Sequence, residues 1–383
     1  MQKKTPNEHF IFRNTHPENI VEHALGAEAV NAAAIASGTP WTELFHTLFD
    51  QSHELCLMPN DFRCVKGMLR THGFILQPSC SSHGVRAEDV RAHMAEHCTD
   101  GVCAIVKASK YGYNLSILAI LPVTGENGTT YKIAGFEDHS DYFADEIWLR
   151  WPDGEDHSPV ARRKGSASGT RKERKPPENH ARYVYQQENP ENRNIGDCLV
   201  RGLASACGIT WHETVDLLST YHYTTINSRI VYRKLLKKLG FVHHDLYRPG
   251  EKYPTVAEFC SEANRKFRRG EHLFVHVGTS HVAAVLPFPQ GDGTFRYKVV
   301  DTWDSSGHSA TYYWVRPAAE DPKEESLPVY AIGDRIEHPT FGIGIVRVMS
   351  GTAPQIRLEI EFPDAGLKKL GAAWVAENCR KCV

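Results

Sequence analysis

The chain has 383 residues, of which 41% are hydrophobic and 23% charged, with a formal net charge of -2. That length exceeds one typical domain, so two or three domains with well-filled cores are expected. A net charge so close to zero excludes a global field that would gather nucleic acid or anionic membrane, and ten scattered cysteines exclude a small disulfide framework.

The stretch Met1 to Pro6 has no apolar run behind its lysines, and no segment approaches the roughly 18 apolar residues of a membrane span. A cytoplasmic location with reduced thiols is expected, with no membrane partner and no cofactor or metal. Cys379 and Cys382 form a CxxC without a second pair, so a frayed tail is expected there rather than a zinc site.

Taken in order, the chain reads as an internal duplication. Gly26 to Glu43 can be laid on Gly196 to Glu213 at a constant offset of 170, matching Gly38 to Gly208 and Trp41 to Trp211. Met68 to Phe74 then matches Leu235 to Phe241 at 167, Ile117 to Pro122 matches Val282 to Pro287 at 165, and Thr130 to Ile133 matches Arg296 to Val299 at 166. The matches keep their order and the offset drifts by only a few residues, so residues 8–152 and 186–318 are expected to be two copies of one fold. Between them, residues 153–185 read as a basic linker. Seven Lys/Arg fall within the fourteen residues from Arg162 to Lys175, next to Pro176 and Pro177. Such a stretch cannot build a core, and lacking interleaved aromatics it reads as solvated chain before it reads as a phosphate contact.

In the second copy, Leu199, Leu203 and Ala206 recur at helical spacing behind Cys198, with Gly208 as the stop. Thr210-x-x-Glu213 is a capping box opening a second helix, Ser228 to Leu239 reads as a third, and Thr255-x-x-Glu258 caps a fourth running towards Arg269. Strands follow at His272–Val277, His281–Leu286, Phe295–Asp301 and Tyr312–Val315, with turn chemistry at Gln290 to Gly293. Helices first and an antiparallel sheet after them make an α+β class.

Cys198 sits where a polar loop turns into that first helix, and the positive end of the helix dipole favours the thiolate, which is the nucleophilic form. The amides of Asn192 and Asn194 lie just upstream and could donate to an oxyanion. If Leu286 and Phe295 flank the hairpin turn, residue i lies opposite 581 minus i, which sets His281 opposite Val300 and beside Asp301. Asp301, or else Asp304, would fix the imidazole tautomer, and His281 would take the thiol proton. Trp303 either walls the site or packs in the core. His276, His243 and His244 read as surface or satisfied core histidines, and Cys207 and Cys260 as structural thiols. At the matched positions of the first copy Cys198 becomes Glu28, His281 becomes Ser116, and Asp301 falls near Gly135. That copy is expected to be a pseudo-enzyme.

The order of a Cys at a helix start, a His at a strand start and an Asp on the next strand resembles the papain-like cysteine peptidases. Asp197-Cys198-Leu199-Val200-Arg201 also looks like the Cys motif of OTU-type deubiquitinases, although no Asp lies three residues before the Cys. What the resemblance implies is a pair of papain-like domains, with Cys198 facing His281 in the second. The implied activity is hydrolysis of a peptide or isopeptide bond in a protein or peptide substrate. Acyl transfer or side-chain deamidation by the same triad, and a non-enzymatic adaptor, are the alternatives. In the papain family a Gln stands six residues before the Cys; here that place is Asn192, with Asn194 as the substitute.

Residues 327–378 change character. Gly333 to Val346 is a Gly-punctuated strand pair, and Ile356, Leu358, Ile360 and Phe362 alternate with charged residues as a half-buried strand. Five short strands make a small β-barrel. Gly333 to Val346, followed by Phe362 to Leu370, resembles the Tudor-like C-terminal module of UvrD-type helicases, which implies an SH3/Tudor-like barrel that docks onto a protein partner. No GxxxxGK[ST] phosphate loop is present, so only the docking role carries over.

Overall fold

The structure is a computed structural model that describes residues 7–77, 84–98, 101–110, 113–126, 128–153, 177–193, 195–226, 228–247, 249–250, 252–317, 330–350 and 356–382. The basic run between Arg162 and Lys175 and the amide of Asn194 lie outside the described residues. Two compact units are present. One comprises Met1–Glu178, Gln187–Arg201 and Val215–Lys238; the other comprises Asn179–Gln186, Gly202–Thr214 and Leu239–Val383.

The first segment of the chain runs β1 (Phe10–Phe12), α1 (Leu25–Ser37), α2 (Trp41–Leu55), α3 (Phe62–Thr71), β2 (Ile75–Leu76), α4 (Ala87–His97), β3 (Cys103–Lys110), β4 (Tyr113–Gly125), β5 (Gly128–Gly135) and β6 (Phe143–Arg150). Helix α1 is rich in alanine and buried from Gly26 to Ala36, as expected of a helix apolar on every side. It packs on β4 and against α2 and α3. It stops at Gly38, whose left-handed backbone (φ 72°) returns its N–H to the Ala34 carbonyl. Helix α4 covers the sheet through Val90 and Met94, which share a core with Ala104, Val106, Leu118, Ile120 and Ile133.

The second segment runs β7 (Tyr183–Tyr185), α5 (Cys198–Cys207), α6 (Trp211–Ser219), α7 (Arg229–Lys238), β8 (Val242–Asp245), α8 (Val256–Lys266), β9 (His272–Val277), β10 (His281–Pro289), β11 (Phe295–Asp301) and β12 (Ala310–Arg316). Both capping boxes form: Thr210 N–H donates to Glu213 at 2.6 Å, and Thr255 N–H to Glu258 at 2.7 Å. Helix α8 packs Val256, Phe259, Cys260 and Ala263 against Val275, Val285, Tyr297, Val299 and Tyr313. The neighbouring residue Phe274 points to the other face, where its ring would lie 3.0 Å from a Cβ on Gly202 of α5.

Each segment builds a six-stranded sheet. The strand orders are β1-β5-β4-β3-β6-β2 and β7-β11-β10-β9-β12-β8, which are the same permutation of matching elements. In each, the first strand pairs in parallel with the third long strand, β1 with β5 and β7 with β11. The registers agree as well. Ala119 pairs with Ala134 in one sheet and Ala284 with Val300 in the other, at the 165 and 166 offsets read from the sequence.

The expectations for β10, β7 and α8 are corrected. Strand β10 does not end at Leu286 but continues to Pro289, so Ala284, not His281, faces Val300. Beyond Val285 this strand is flanked by β11 and no longer by β9, and a proline is tolerated where no second neighbour needs its N–H. The segment expected to be linker up to residue 185 contains β7, which is stitched to Val299–Asp301. Helix α8 ends at Lys266, short of Arg269, because Phe267 turns extended and packs its ring near Tyr297 and Tyr313.

The C-terminal part runs β13 (Arg335–His338), β14 (Gly342–Ser350), β15 (Arg357–Phe362), β16 (Gly366–Gly371), α9 (Ala372–Asn378) and β17 (Arg380–Cys382), with sheet order β16-β15-β14-β13-β17. Ile336, Val346, Leu358, Ile360, Phe362 and Val375 form its core. The tail expected to fray is instead strand β17, paired with Arg335–Glu337. Burial pushes the Cys379 thiol up to about 11.

Candidate active site

Residues 189–193 and 195–197, which lead into Cys198, are fastened from several sides. Asn189 is buried; its Oδ1 accepts the N–H groups of Glu191 and Arg193, and its Nδ2 donates to the Cys56 carbonyl at 3.0 Å. Asp197 is fully buried and precedes the first helical residue, its carbonyl accepting Arg201 N–H at 3.0 Å. Its carboxylate pairs with Arg201 Nε at 2.8 Å, one helical turn on. Cys198 follows as the first residue of α5, half-buried, with Leu199 and Val200 buried behind it. Asn192 is exposed and takes a left-handed backbone (φ 50°).

His281 and Asp301 are brought together. His281 Nε2 meets Asp301 Oδ2 at 2.5 Å, with side chains 18% and 4% exposed. The actual register explains why. Asp301 lies opposite the place of Ala283, two residues along from His281, so the two side chains emerge diagonally on the same side. Asp301 is itself held firmly: Oδ1 accepts Thr302 N–H at 2.7 Å, and its backbone carbonyl accepts Gln186 N–H and the Tyr183 hydroxyl. Burial, and then the nearby Asp301 and Asp304 carboxylates, push that hydroxyl up to about 12. It therefore stays a donor at any working pH. With Nε2 engaged by a carboxylate, Nδ1 is the ring nitrogen through which His281 would exchange a proton.

Asp304 is taken by a different histidine, His180, at 2.9 Å. Burial works against its ionisation, but hydrogen bonds from Ser306 and His180 prevail and hold its carboxyl below the ordinary value. Trp303 sets its ring 5.1 Å from that of His281 and 5.0 Å from that of His308, forming a wall beside the imidazole. The other sequence candidates lie elsewhere. His276 bonds to the Thr311 hydroxyl and stacks on Tyr312, His243 packs on Trp314, and His244 stacks on Tyr313, where burial lowers its basicity. Cys260 sits in the α8 core, where burial pushes its thiol up to about 12; Cys207 ends α5.

The matched positions of the first segment also converge. Glu28, in the first turn of α1, accepts Ile117 N–H at 2.8 Å and a hydrogen bond from Ser116. Burial raises its carboxyl above the ordinary value, the two hydrogen bonds only partly offsetting this. Helix α1 and strand β4 therefore meet in this segment through Glu28, Ser116 and the Ile117 N–H, with His23 Nδ1 3.8 Å from the Glu28 carboxylate.

The ion pair of Asp197 and Arg201, and the anchoring role of Asn189, were not singled out in the sequence. An Asp four residues before an Arg at a helix start is the signal that could have found the first. Nothing local marks Asn189, whose partner at Cys56 is 133 residues away.

Residues 332–375 match the PcrA/UvrD tudor domain. The match runs from just before β13 into the first turn of α9, and the small five-stranded domain there fits a Tudor-like fold. Comparison with curated proteins gives no match. No helix among the described residues is long and apolar enough to cross a membrane.

Proposed function

We propose that the chain is a cysteine hydrolase that cuts a peptide or isopeptide bond through Cys198, His281 and Asp301. The observation that carries this is the His281–Asp301 pair, a buried carboxylate holding one ring nitrogen of a histidine that begins a strand. Cys198 at the start of α5 supplies the nucleophile. His281 takes the thiol proton as the sulfur bonds to the substrate carbonyl carbon, and gives it to the amine as the C–N bond breaks. Water then attacks the thioester, passing its proton to His281, and the thiol is restored. The Cys198 N–H, with the Asn192 or Asn194 amide, would meet the oxyanion. The papain-like and OTU-like resemblances point the same way. Acyl transfer or deamidation would use the same acyl-enzyme and differ only in the group that resolves or leaves it.

The identical strand orders support two copies of one fold, with the first, at residues 8–152, a pseudo-enzyme whose Glu28 and Ser116 occupy the places of Cys198 and His281. The Tudor barrel is read as a docking module for a protein partner. Three of its basic residues are ion-paired, Arg347 with Glu361, Lys369 with Glu359 and Lys381 with Asp334.

The test is the rate of iodoacetamide modification of Cys198 against pH, followed by mass spectrometry, in wild type and His281→Ala. Fast modification well below pH 8, lost in the variant, is expected. Modification that rises only near about pH 8.5, as for an ordinary thiol, and is indifferent to His281 would leave the chain a non-enzymatic adaptor.

A further inference from the structure

The first unit contains a cavity of 310 Å³ beside the loop that leads into Cys198. Met58, Asn60 and Asp61, from the turn between α2 and α3, form one wall; Ile195 and Gly196 form the second, and Thr225 and Ile226, ahead of α7, form the third. Its polar groups are already occupied. Asn60 Oδ1 accepts Gly26 N–H at 2.9 Å and its Nδ2 donates to the Thr225 hydroxyl at 3.2 Å. Asp61 is clasped by Arg63 through both Nε and Nη2, and those hydrogen bonds hold its carboxyl below the ordinary value. What the walls still offer is carbon, from Met58, Ile195 and Ile226. Gly196 leaves its side open: an added Cβ would meet nothing within 4 Å.

Position decides what this space is for. Gly196 stands two residues before Cys198, and two residues span at most about 7 Å. A polypeptide bound with its acyl carbon at the sulfur therefore has a flanking side chain within reach of the cavity, since an extended chain rises about 3.3 Å per residue. At the small end of ligand pockets, which begin at roughly 300 Å³, the volume suits one side chain rather than a long ligand.

We propose that this cavity is the specificity subsite for an apolar side chain, of the size of Leu, Met or Phe, next to the scissile bond of a polypeptide substrate. The first segment, without a nucleophile of its own, supplies one wall of it through Met58, Asn60 and Asp61. The Asp61 carboxylate in that wall disfavours an acidic side chain. This assignment rests on the cysteine-hydrolase function.

The experiment uses the full chain and peptidyl acyloxymethyl ketones that differ in one of the two residues on the acyl side: Gly, Leu, Phe or Glu. The second-order rate of Cys198 labelling is read by mass spectrometry, with iodoacetamide as a reagent too small to need the cavity. At one of the two positions Leu or Phe is expected to label about ten-fold faster than Gly or more, with Glu slowest. Gly196→Val and Met58→Trp, which fill the space, should abolish that advantage while the iodoacetamide profile holds. Met58→Ala, which enlarges the space without crowding, should shift preference from Leu to Phe. A wild-type protein whose Cys198 is activated towards iodoacetamide yet takes all four peptides equally, or variants that keep the Leu preference, would overturn the subsite alone. A Cys198 that shows no His281-dependent activation would overturn both the subsite and the hydrolase function.

Discussion

Asp301 is the residue on which the proposed chemistry turns, because its negative charge lies within hydrogen-bond reach of an imidazole that must become cationic in each cycle. Asp301→Asn keeps the shape but removes the charge and offers an amide in either orientation. Iodoacetamide modification of Cys198 in that variant is expected to move up towards the ordinary thiol range, about pH 8.5, with the His281→Ala profile as its limit. Glu28 makes the opposite case. Burial raises its carboxyl, so the folded state prefers it protonated. A raised carboxyl contributes stability that is complete below its unfolded value and is lost as the pH rises through the folded one. Denaturant melts of Glu28→Gln, which keeps the acceptor for Ile117 N–H, should therefore show a flatter pH dependence, with the variant gaining on wild type above about pH 4.5. Equal slopes would mean that Glu28 is ionised at no cost. Asp197 stabilises by pairing. Asp197→Ala leaves the Arg201 guanidinium buried without its carboxylate, and a loss of about 3–5 kcal/mol is expected in the same melts.

At the scale of the element, capping and turn chemistry were legible and register was not. Thr210, Glu213, Thr255 and Glu258 were recognisable because a capping box is a local pattern, and each forms. Thr255→Ala should cost about 1 kcal/mol, with the loss seen as fraying at the start of α8 by hydrogen exchange. The β10–β11 hairpin is placed by its turn residues, yet its register differs by three from the expected one, because β10 runs on through Pro287 and Pro289 instead of ending at Leu286. What rescues them is a neighbour that stops early, a fact of the sheet rather than of the sequence. The error matters chemically. An odd slip reverses the side of every residue, and the observed pairing is the one that sets His281 and Asp301 on the same side. In the barrel, Gly344 lies opposite Ile336, where a Cβ would sit 2.6 Å from the Phe362 ring and 2.7 Å from Ile360. Gly344→Ala should destabilise the barrel by about 1–3 kcal/mol, read by the exchange of Leu358 and Ile360 amides.

For the whole molecule, the α+β layout and the C-terminal module could be read from periodicity and turn residues, because those are short-range signals. The loop into Cys198 could not, since its anchors come from far along the chain: Asn189 reaches Cys56, and Asn60 reaches Thr225. The repeat of one strand permutation in two sheets was visible only as a drifting offset, and the long-range pairing gives it content. Edge strands β1 and β7 each begin a segment and close its sheet in parallel, so neither sheet is complete until its first and its later strands are both made. Folding that waits for such distant contacts is slow, and refolding of the full chain should be slower than that of a helical protein of equal length in stopped-flow fluorescence.

Glu213 divides its carboxylate between two employers. Oε2 caps α6 by accepting Thr210 N–H at 2.6 Å, while Oε1 accepts Gly371 N–H at 3.0 Å, where β16 passes into α9 of the Tudor barrel. One side chain thus caps the start of α6 and accepts a backbone N–H at the β16–α9 junction. A ligand that draws Gly371 away from this oxygen must spend part of its own affinity on doing so. By thermodynamic reciprocity, whatever loosens the start of α6 makes that ligand's work lighter by the same amount.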